Sequence, residues 1–411
     1  GGLSHNLTMD EPLNIKGWPK GVNTVLPAES LPDDTLRSGV NIDVLDSGKI
    51  RRRKGFTEVI GASGIRSGIS HKGAIHFLQS GAFKRLEASG VITTLDTGLS
   101  DRYGSFCPVN DDLYFSNGVD FRLLRDGVVG PHGTPTCALP PTLARTAGAL
   151  PEGTYQALAT YVQPSGEEGG CVSAASITVV ADSSITVTAP AGSYDVNLYL
   201  TPPNGEVFYL AATVAAGTSI TFTTSIPQGA ACRTQFCTPL PPGDLIEVYG
   251  GELYSASGNI LWHSETFQFG LCRPSKNFFI FPSEITLLKA TTDGIYVGSD
   301  AIYFLAGTGP GDFQQRPVLP TTAARNSVSN IPKSNGFLFF SGRGVVTAMP
   351  GGQIELLHDA VAPADVFEHG ATVFREQDGL TQMLGVGMVP QYASGLVAMD
   401  FMEAEVIRAR S

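Results

Sequence analysis

The chain has 411 residues and a formal net charge of −11, with only 16% charged residues, so an ordinary basic phosphate-binding surface is not expected. Its 48 glycines and 27 prolines, set among runs of Val, Ile, Thr, Tyr and Phe, give the profile of a turn-dense all-β protein rather than a helical bundle. No apolar run reaches the roughly 18 residues of a membrane span, and Gly1-Gly2-Leu3-Ser4-His5-Asn6 lacks a basic-then-apolar leader, so export through a signal peptide is not expected.

Residues 1–39 are irregular, with Gly17-Trp18-Pro19-Lys20-Gly21, Leu26-Pro27 and Leu31-Pro32. Prolines at this density block a central strand and predict an extended arm lying on another surface. A hairpin follows, Val40 to Leu45, turn Asp46-Ser47-Gly48, then Lys49 to Arg53, with one apolar and one polar face. Then a phrase repeats: aliphatic–aromatic run, small-residue turn, second apolar run. Its copies begin at Ile75-His76-Phe77, Leu113-Tyr114-Phe115, Leu253-Tyr254-Ser255, Ile295-Tyr296-Val297 and Phe337-Leu338-Phe339. Consecutive copies start about 40 residues apart, except for one gap of about 140, and a period of 40–45 residues built of short strands is the signature of β-propeller blades. Ser80-Gly81, Asn117-Gly118 and Asp126-Gly127 are hairpin turns, because Gly accepts positive φ. A weaker copy starts at Asp378-Gly379-Leu380, and Leu396 to Ile407 alternates as a strand expected to pair with N-terminal strands and close the ring.

The long gap holds an insert, residues 134–241, between proline-rich joints at Pro135, Pro140-Pro141 and Pro239 to Pro242. Short strands are predicted at 153–162, 176–180, 184–188, 195–200, 207–213 and 219–223, a small β-sandwich of immunoglobulin or fibronectin type III kind. The expected fold is therefore all-β: a β-propeller of about six blades with an inserted β-sandwich, or seven blades if the hairpin at Ile42 stands alone. Its parts are an arm (1–39), first blades (40–133), insert (134–241), and further blades with the closing strand (242–411).

Catalytic signatures are absent from the sequence. There is no Gly-x-Ser-x-Gly elbow, His-Glu-x-x-His, phosphate loop, dinucleotide fingerprint or Asp-x-Asp calcium loop, and the Asn6-Leu7-Thr8 sequon reads as chance. His71 and His76, five apart, are placed on opposite faces of a strand, and Asp111-Asp112 and Glu167-Glu168 read as solvated turn charge. Catalytic, cofactor and metal residues are accordingly expected to be none, and the chain is expected not to be an enzyme. The six cysteines include no Cys-x-x-Cys pair and are expected to be buried free thiols, a Cys232–Cys237 disulfide being the alternative. The basic run Arg51-Arg52-Arg53-Lys54 stands out on an acidic chain. It reads either as a surface for an anionic partner, a neighbouring subunit before DNA, or as a solvated strand that discourages edge pairing.

Taken together, the chain resembles the β-propeller nozzle or hub proteins in the tails of short-tailed bacteriophages. The resemblance rests on Ser30-Leu31-Pro32-Asp33-Asp34 through Asn41-Ile42-Asp43, followed by Ser47-Gly48-Lys49-Ile50-Arg51-Arg52-Arg53-Lys54-Gly55-Phe56. It continues in Pro242-Gly243-Asp244-Leu245, Gly251-Glu252-Leu253-Tyr254, Leu261-Trp262-His263-Ser264-Glu265 and Asp293 to Gly298 with Ile302 to Leu305. The insert, especially Leu198 to Glu206, looks like the fibronectin-like module of some relatives. One departure from the family pattern is that the chain carries a single insertion. The resemblance implies a non-enzymatic virion tail protein, assembled in the host cytoplasm as a homo-oligomer, a hexameric ring, without cofactors. Its implied partners are tail adaptor or portal-proximal proteins, tail fibres, and genomic DNA passing through the lumen without sequence-specific binding. Subunit contacts are then expected at Trp18, Pro19, Arg51, Arg52, Arg53 and Lys54, and a channel loop at Thr308, Gly309 and Asp312. Alternatives are a fibre-attachment or receptor-contacting virion protein, and a carbohydrate-active propeller enzyme, which would lack the Ser-x-Asp-x-Gly-x-x-Trp boxes of sialidase-like blades.

Overall fold

The computed structural model describes residues 17–23, 26–45, 47–53, 63–357, 369–377, 380–388 and 406–407. The chain divides into two compact units, Gly61–Pro317 and the combination of Gly1–Ile60 with Val318–Ser411. Apart from two short 3₁₀ turns, every named element is a β-strand.

The N-terminal hairpin is β1 (Ile42–Val44) with β2 (Ile50–Arg52). Two four-stranded antiparallel meanders follow: β3–β6 (Ile65–His71, Ala74–Gln79, Ala82–Leu86, Ile92–Asp96) and β7–β10 (Ser105–Val109, Asp112–Ser116, Phe121–Arg125, Val128–Pro131). The repeated phrase is the central hairpin of each meander, so every sheet has one further strand before it and one after. Lys72–Gly73, Ser80–Gly81 and Asp126–Gly127 take positive φ at both positions, the geometry of a two-residue turn whose twist matches its strands.

The insert is a seven-stranded sandwich, β11–β17 (Thr142–Ala147, Gly153–Val162, Ala175–Val179, Ser183–Thr188, Asp195–Leu200, Tyr209–Val214, Ser219–Phe222). One sheet has the order β11-β14-β17 and the other β13-β12-β15-β16. Tyr155, Leu158, Ile185, Val187, Val196 and Leu198 fill the space between them.

The chain returns through β18 (Thr238–Pro239) to a third meander, β19 (Leu245–Tyr249), β20 (Glu252–Ser257) and β21 (Ile260–His263), completed by β23 (Phe278–Ile280) after β22 (Leu271–Cys272) pairs with β18. The fourth is β24–β27 (Leu287–Thr291, Gly294–Gly298, Ile302–Ala306, Gln314–Leu319) and the fifth β28–β31 (Ser329–Asn330, Phe337–Ser341, Gly344–Met349, Gln353–Leu356). A three-stranded sheet, β32–β34 (His369–Gln377, Leu380–Met388, Val406–Ile407), follows in the second unit.

These sheets are propeller blades because neither face of one is polar enough to stand alone. Leu113, Tyr114 and Phe115 are consecutive on β8 and all at most 3% exposed, so both faces of that strand are covered. Cores lie between consecutive blades: Leu78 and Phe83 pack with Leu113 and Phe115, Tyr114 and Phe121 with Ile246 and Leu253, and Leu261 and Phe281 with Ile295 and Val297. Each such side chain contributes roughly 1.5–3 kcal/mol when fully buried. The first strands of successive blades touch in order, β3 with β7, β7 with β19, and β19 with β24. There Lys289 on β24 meets Glu247 on β19 at 2.6 Å. Burial works to lower the Lys289 pKa, but the Glu247 carboxylate outweighs it and holds the ammonium above its ordinary value.

Three expectations change. His71 and His76 lie on opposite strands of a tight hairpin, not on one strand, so their rings meet edge-on with centroids 5.9 Å apart. Val406–Ile407 pairs with β33 rather than with an N-terminal strand, and the rest of the expected closing strand, together with Asp378-Gly379 at the start of the sixth copy, lies outside the described residues. The arm, where described, folds back on itself through a parallel bridge between Val22 and Leu36.

Candidate functional site

On the basic hairpin, register places Asp43 opposite Arg51. Asp43 is only 2% exposed, and its oxygens lie 3.5 Å from Arg51 Nε and 3.4 Å from Arg53 Nε. Gln382 Nε2 on β33 donates to Asp43 Oδ1 at 3.3 Å. A carboxylate this deep requires compensating charge, so Arg51 and Arg53 serve the interior of the hairpin. Alternation turns Arg52 the other way, into solvent. Of the expected basic surface, Arg52 remains, and Lys54 lies outside the described residues. Trp18 sits at the turn of this hairpin, its backbone N–H donating to Gly48 O at 2.8 Å; Trp18 is half-buried and Pro19 exposed.

The loop after β26 is organised by Asp312. Its carboxylate accepts from the Thr308 N–H at 3.0 Å, the Gly309 N–H at 2.9 Å and the Thr308 hydroxyl at 2.9 Å. The backbone donors at Thr308 hold its pKa below the usual carboxylate value. Tyr249 Oη ties the loop to β19 by donating to Gly307 O. Thr308, Gly309 and Asp312 thus form one self-bonded loop.

A third location escaped the sequence reading. Where the insert joins the third blade, a cavity of about 510 Å³ is lined by Cys232, Arg233, Gln235 and Phe236 from the insert and Glu265, Thr266, Gln268 and Arg273 from the blade. Arg273 bolts its two walls together, donating to Gln235 O at 3.0 Å and Arg233 O at 2.9 Å while contacting Glu265 at 3.4 Å. The joint is tight: Gly170 has no room for a Cβ because the Cys237 carbonyl occupies that space. Phe236 and Phe267 stand out at its rim, 59% and 81% exposed, with φ of 63° and 56°. A bulky residue in the left-handed region costs of order 1–3 kcal/mol and is held there only by its surroundings. Here backbone bonds fix both, Phe236 N–H to Cys171 O at 2.8 Å and Phe267 N–H to Gly251 O at 2.7 Å. Two aromatics are thereby kept in water.

The acid pair at this joint is also not solvated turn charge. Glu168 accepts from Thr160 and from Tyr199 Oη, and burial raises the Glu167 pKa where that side chain packs on Gly270. The six cysteines are free thiols, as expected, five of them buried and Cys232 partly exposed, and the alternative Cys232–Cys237 disulfide is not formed. Among the described residues, no group of three or more His, Cys, Asp or Glu is arranged to hold a metal ion, and no helix is long and apolar enough to cross a membrane.

No protein-family model and no curated protein matches the chain. Similar solved structures include a streptogramin B lyase, 14% identical over 79% of this chain and 91% of that one, with a TM-score of 0.34. A catalytically inactive virginiamycin B lyase from Staphylococcus aureus with quinupristin is 13% identical over 78% and 91%, with a TM-score of 0.33. BBS1N in complex with ARL6DN is 13% identical over 77% and 84%, with a TM-score of 0.29. Likenesses of this size carry no argument about activity or partners; the all-β blade architecture rests on the order of the strands and the cores they share.

Proposed function

We propose that the chain is a structural subunit of a short-tailed phage virion, a nozzle or hub ring through which the genome is ejected, with no catalytic role. What supports this reading is where the stretches that carry the resemblance fall: they are built into the frame. Asp43, Arg51 and Arg53 form the hairpin clamp. Gly243 exchanges hydrogen bonds with Ser116 and Gly118 across neighbouring blades. Glu252 meets His263 at 2.7 Å across two strands, and Asn204 pins the start of β12 through Thr154. Residue types used this way maintain a rigid wall, and function passes to what the wall presents.

In this reading Arg52, Phe236 and Phe267 make subunit contacts within a hexamer in the virion tail, and the loop at Thr308, Gly309 and Asp312 faces the lumen. Adaptor or portal-proximal proteins and tail fibres bind its ends, and the net charge of −11 keeps passing DNA from adhering. Native mass spectrometry of the purified chain tests this. A closed oligomer is expected, and Arg52→Glu combined with Phe267→Ser shifts it toward monomer at an unchanged thermal midpoint. A stable wild-type monomer that cleaves a glycan sinks the proposal.

A second reading, a receptor-contacting virion protein, draws on the insert's exposed hydroxyl ladder, Thr186 to Thr221 and Thr188 to Ser219, both at 2.8 Å. Binding of the monomeric chain to host-cell surfaces, with no ring formed, favours it.

A further inference from the structure

Three cysteines converge where the insert begins and ends. Cys137 and Cys171 form a parallel bridge, Cys171 bridges to Gln235, and Phe236 donates its N–H to Cys171 O at 2.8 Å. Cys232 packs against the same apolar cluster as Cys137 and Cys171, and its sulfur lies 3.8 Å from Thr234 Oγ1. Cys171 is 1% exposed, whereas Cys232 is partly exposed and lines the 510 Å³ cavity. One thiol is therefore reachable from solvent, and the second lies behind it in the same apolar cluster.

We propose that Cys232 and Cys171 form a dithiol–disulfide site, oxidised by hydrogen peroxide entering through the joint cavity. The Cys232 thiolate attacks the peroxide oxygen, the O–O bond breaks, and Cys232 becomes a sulfenic acid as the leaving hydroxide takes up a proton and departs as water. The Cys171 sulfur then attacks the sulfenic sulfur. The S–S bond forms, the S–OH bond breaks, and the hydroxide leaves as a second water with the Cys171 proton. Two thiols are oxidised by two electrons and one peroxide is reduced to two waters.

The electrostatics agree with this order. The neighbouring Cys171 thiol pulls the Cys232 pKa down against the opposing effect of burial, and the Cys232 thiol together with burial pushes the Cys171 pKa up. Cys232 is thus the attacking thiol and Cys171 the resolving one. The bond would tie the outgoing segment of the insert to the loop that already bridges its incoming segment.

The test treats the full chain with hydrogen peroxide, then maps non-reduced peptides by mass spectrometry and titrates thiols. Expected are a two-hydrogen mass loss, a Cys171–Cys232 cross-linked peptide, two fewer titratable thiols, and a rise in thermal midpoint reversed by reductant. In Cys171→Ala the same treatment leaves a sulfenic acid on Cys232, trapped by dimedone, and in Cys232→Ser both the cross-link and the midpoint shift vanish. A cross-link between Cys232 and Cys237, or peroxide consumption that leaves Cys171 and Cys232 both alkylatable, overturns the proposal. Should Cys171→Ala fail to fold, the wild-type peptide map alone decides.

Discussion

A buried imidazole without a carboxylate partner makes a fold sensitive to acid, and His132 is such a group. It stacks on Phe121 at 3.9 Å between ring centroids, meets Tyr114 edge-on, and places Nε2 2.9 Å from Phe269 O. Burial drives its pKa down to about 4, with Arg125 adding to the effect and the Phe269 bond opposing it. Between that value and the ordinary 6.5 the unfolded chain binds the extra proton, so stability rises with pH across this window. The contribution is complete above pH 6.5 and lost as pH falls toward 4, about 3 kcal/mol in all. Urea unfolding at pH 7 and pH 4.5 should show His132→Gln losing much of the wild-type difference; an identical difference in both proteins would assign the acid sensitivity elsewhere. In the sequence His132 was one scattered histidine among seven. Burial by Phe121, Tyr114 and a carbonyl 137 residues away made it distinct, and no local pattern encodes that environment.

At the scale of elements, the central hairpins were legible and their flanking strands were not. Ser80-Gly81 and Asp126-Gly127 announce themselves because only a few residue types tolerate two positive φ angles in succession. Strand β3, Ile65–His71, carries two serines and a glycine, and β27, Gln314–Leu319, opens on Gln-Gln-Arg-Pro, so neither shows clean alternation. Such strands are held by the sheet they complete. The hairpin of β1 and β2 shows the converse error: its charges were visible, but not that Asp43 would be buried beneath them. Removing the carboxylate in Asp43→Ala leaves two guanidinium groups facing inward, a loss of about 3–5 kcal/mol for a broken buried pair. Denaturant unfolding should detect it as a lower midpoint, while Arg52→Glu stays near wild type. Equal destabilisation by the two substitutions would mean that the clamp is not what holds the hairpin.

For the whole molecule, the decisive relation is between the insert and the blades on either side of it. Ser116 Oγ donates to Gly243 O at 2.7 Å and Gly118 N–H to the same carbonyl at 3.0 Å, bonds between blades separated by the entire insert in sequence. Gly118 is required there, since its φ is 81° and a Cβ would collide with the Asp244 carboxylate. The sandwich has its own closed core. Replacing residues 134–241 by a short Gly-Ser linker should therefore leave a folded blade array, read by retained near-ultraviolet dichroism and a cooperative thermal transition. Loss of that transition would show that the joint contacts of Arg273 and Glu167 are indispensable to the blades. Sequence by itself determined the all-β class, the blade period, the position of the insert and most of its strands, because turn chemistry and alternation are local. Tertiary structure alone decided which charges are buried, that Cys232 lines the joint cavity, and that Phe236 and Phe267 stand in solvent at the joint. Those outcomes depend on contacts between segments tens to hundreds of residues apart, whose burial and geometry no window of sequence contains.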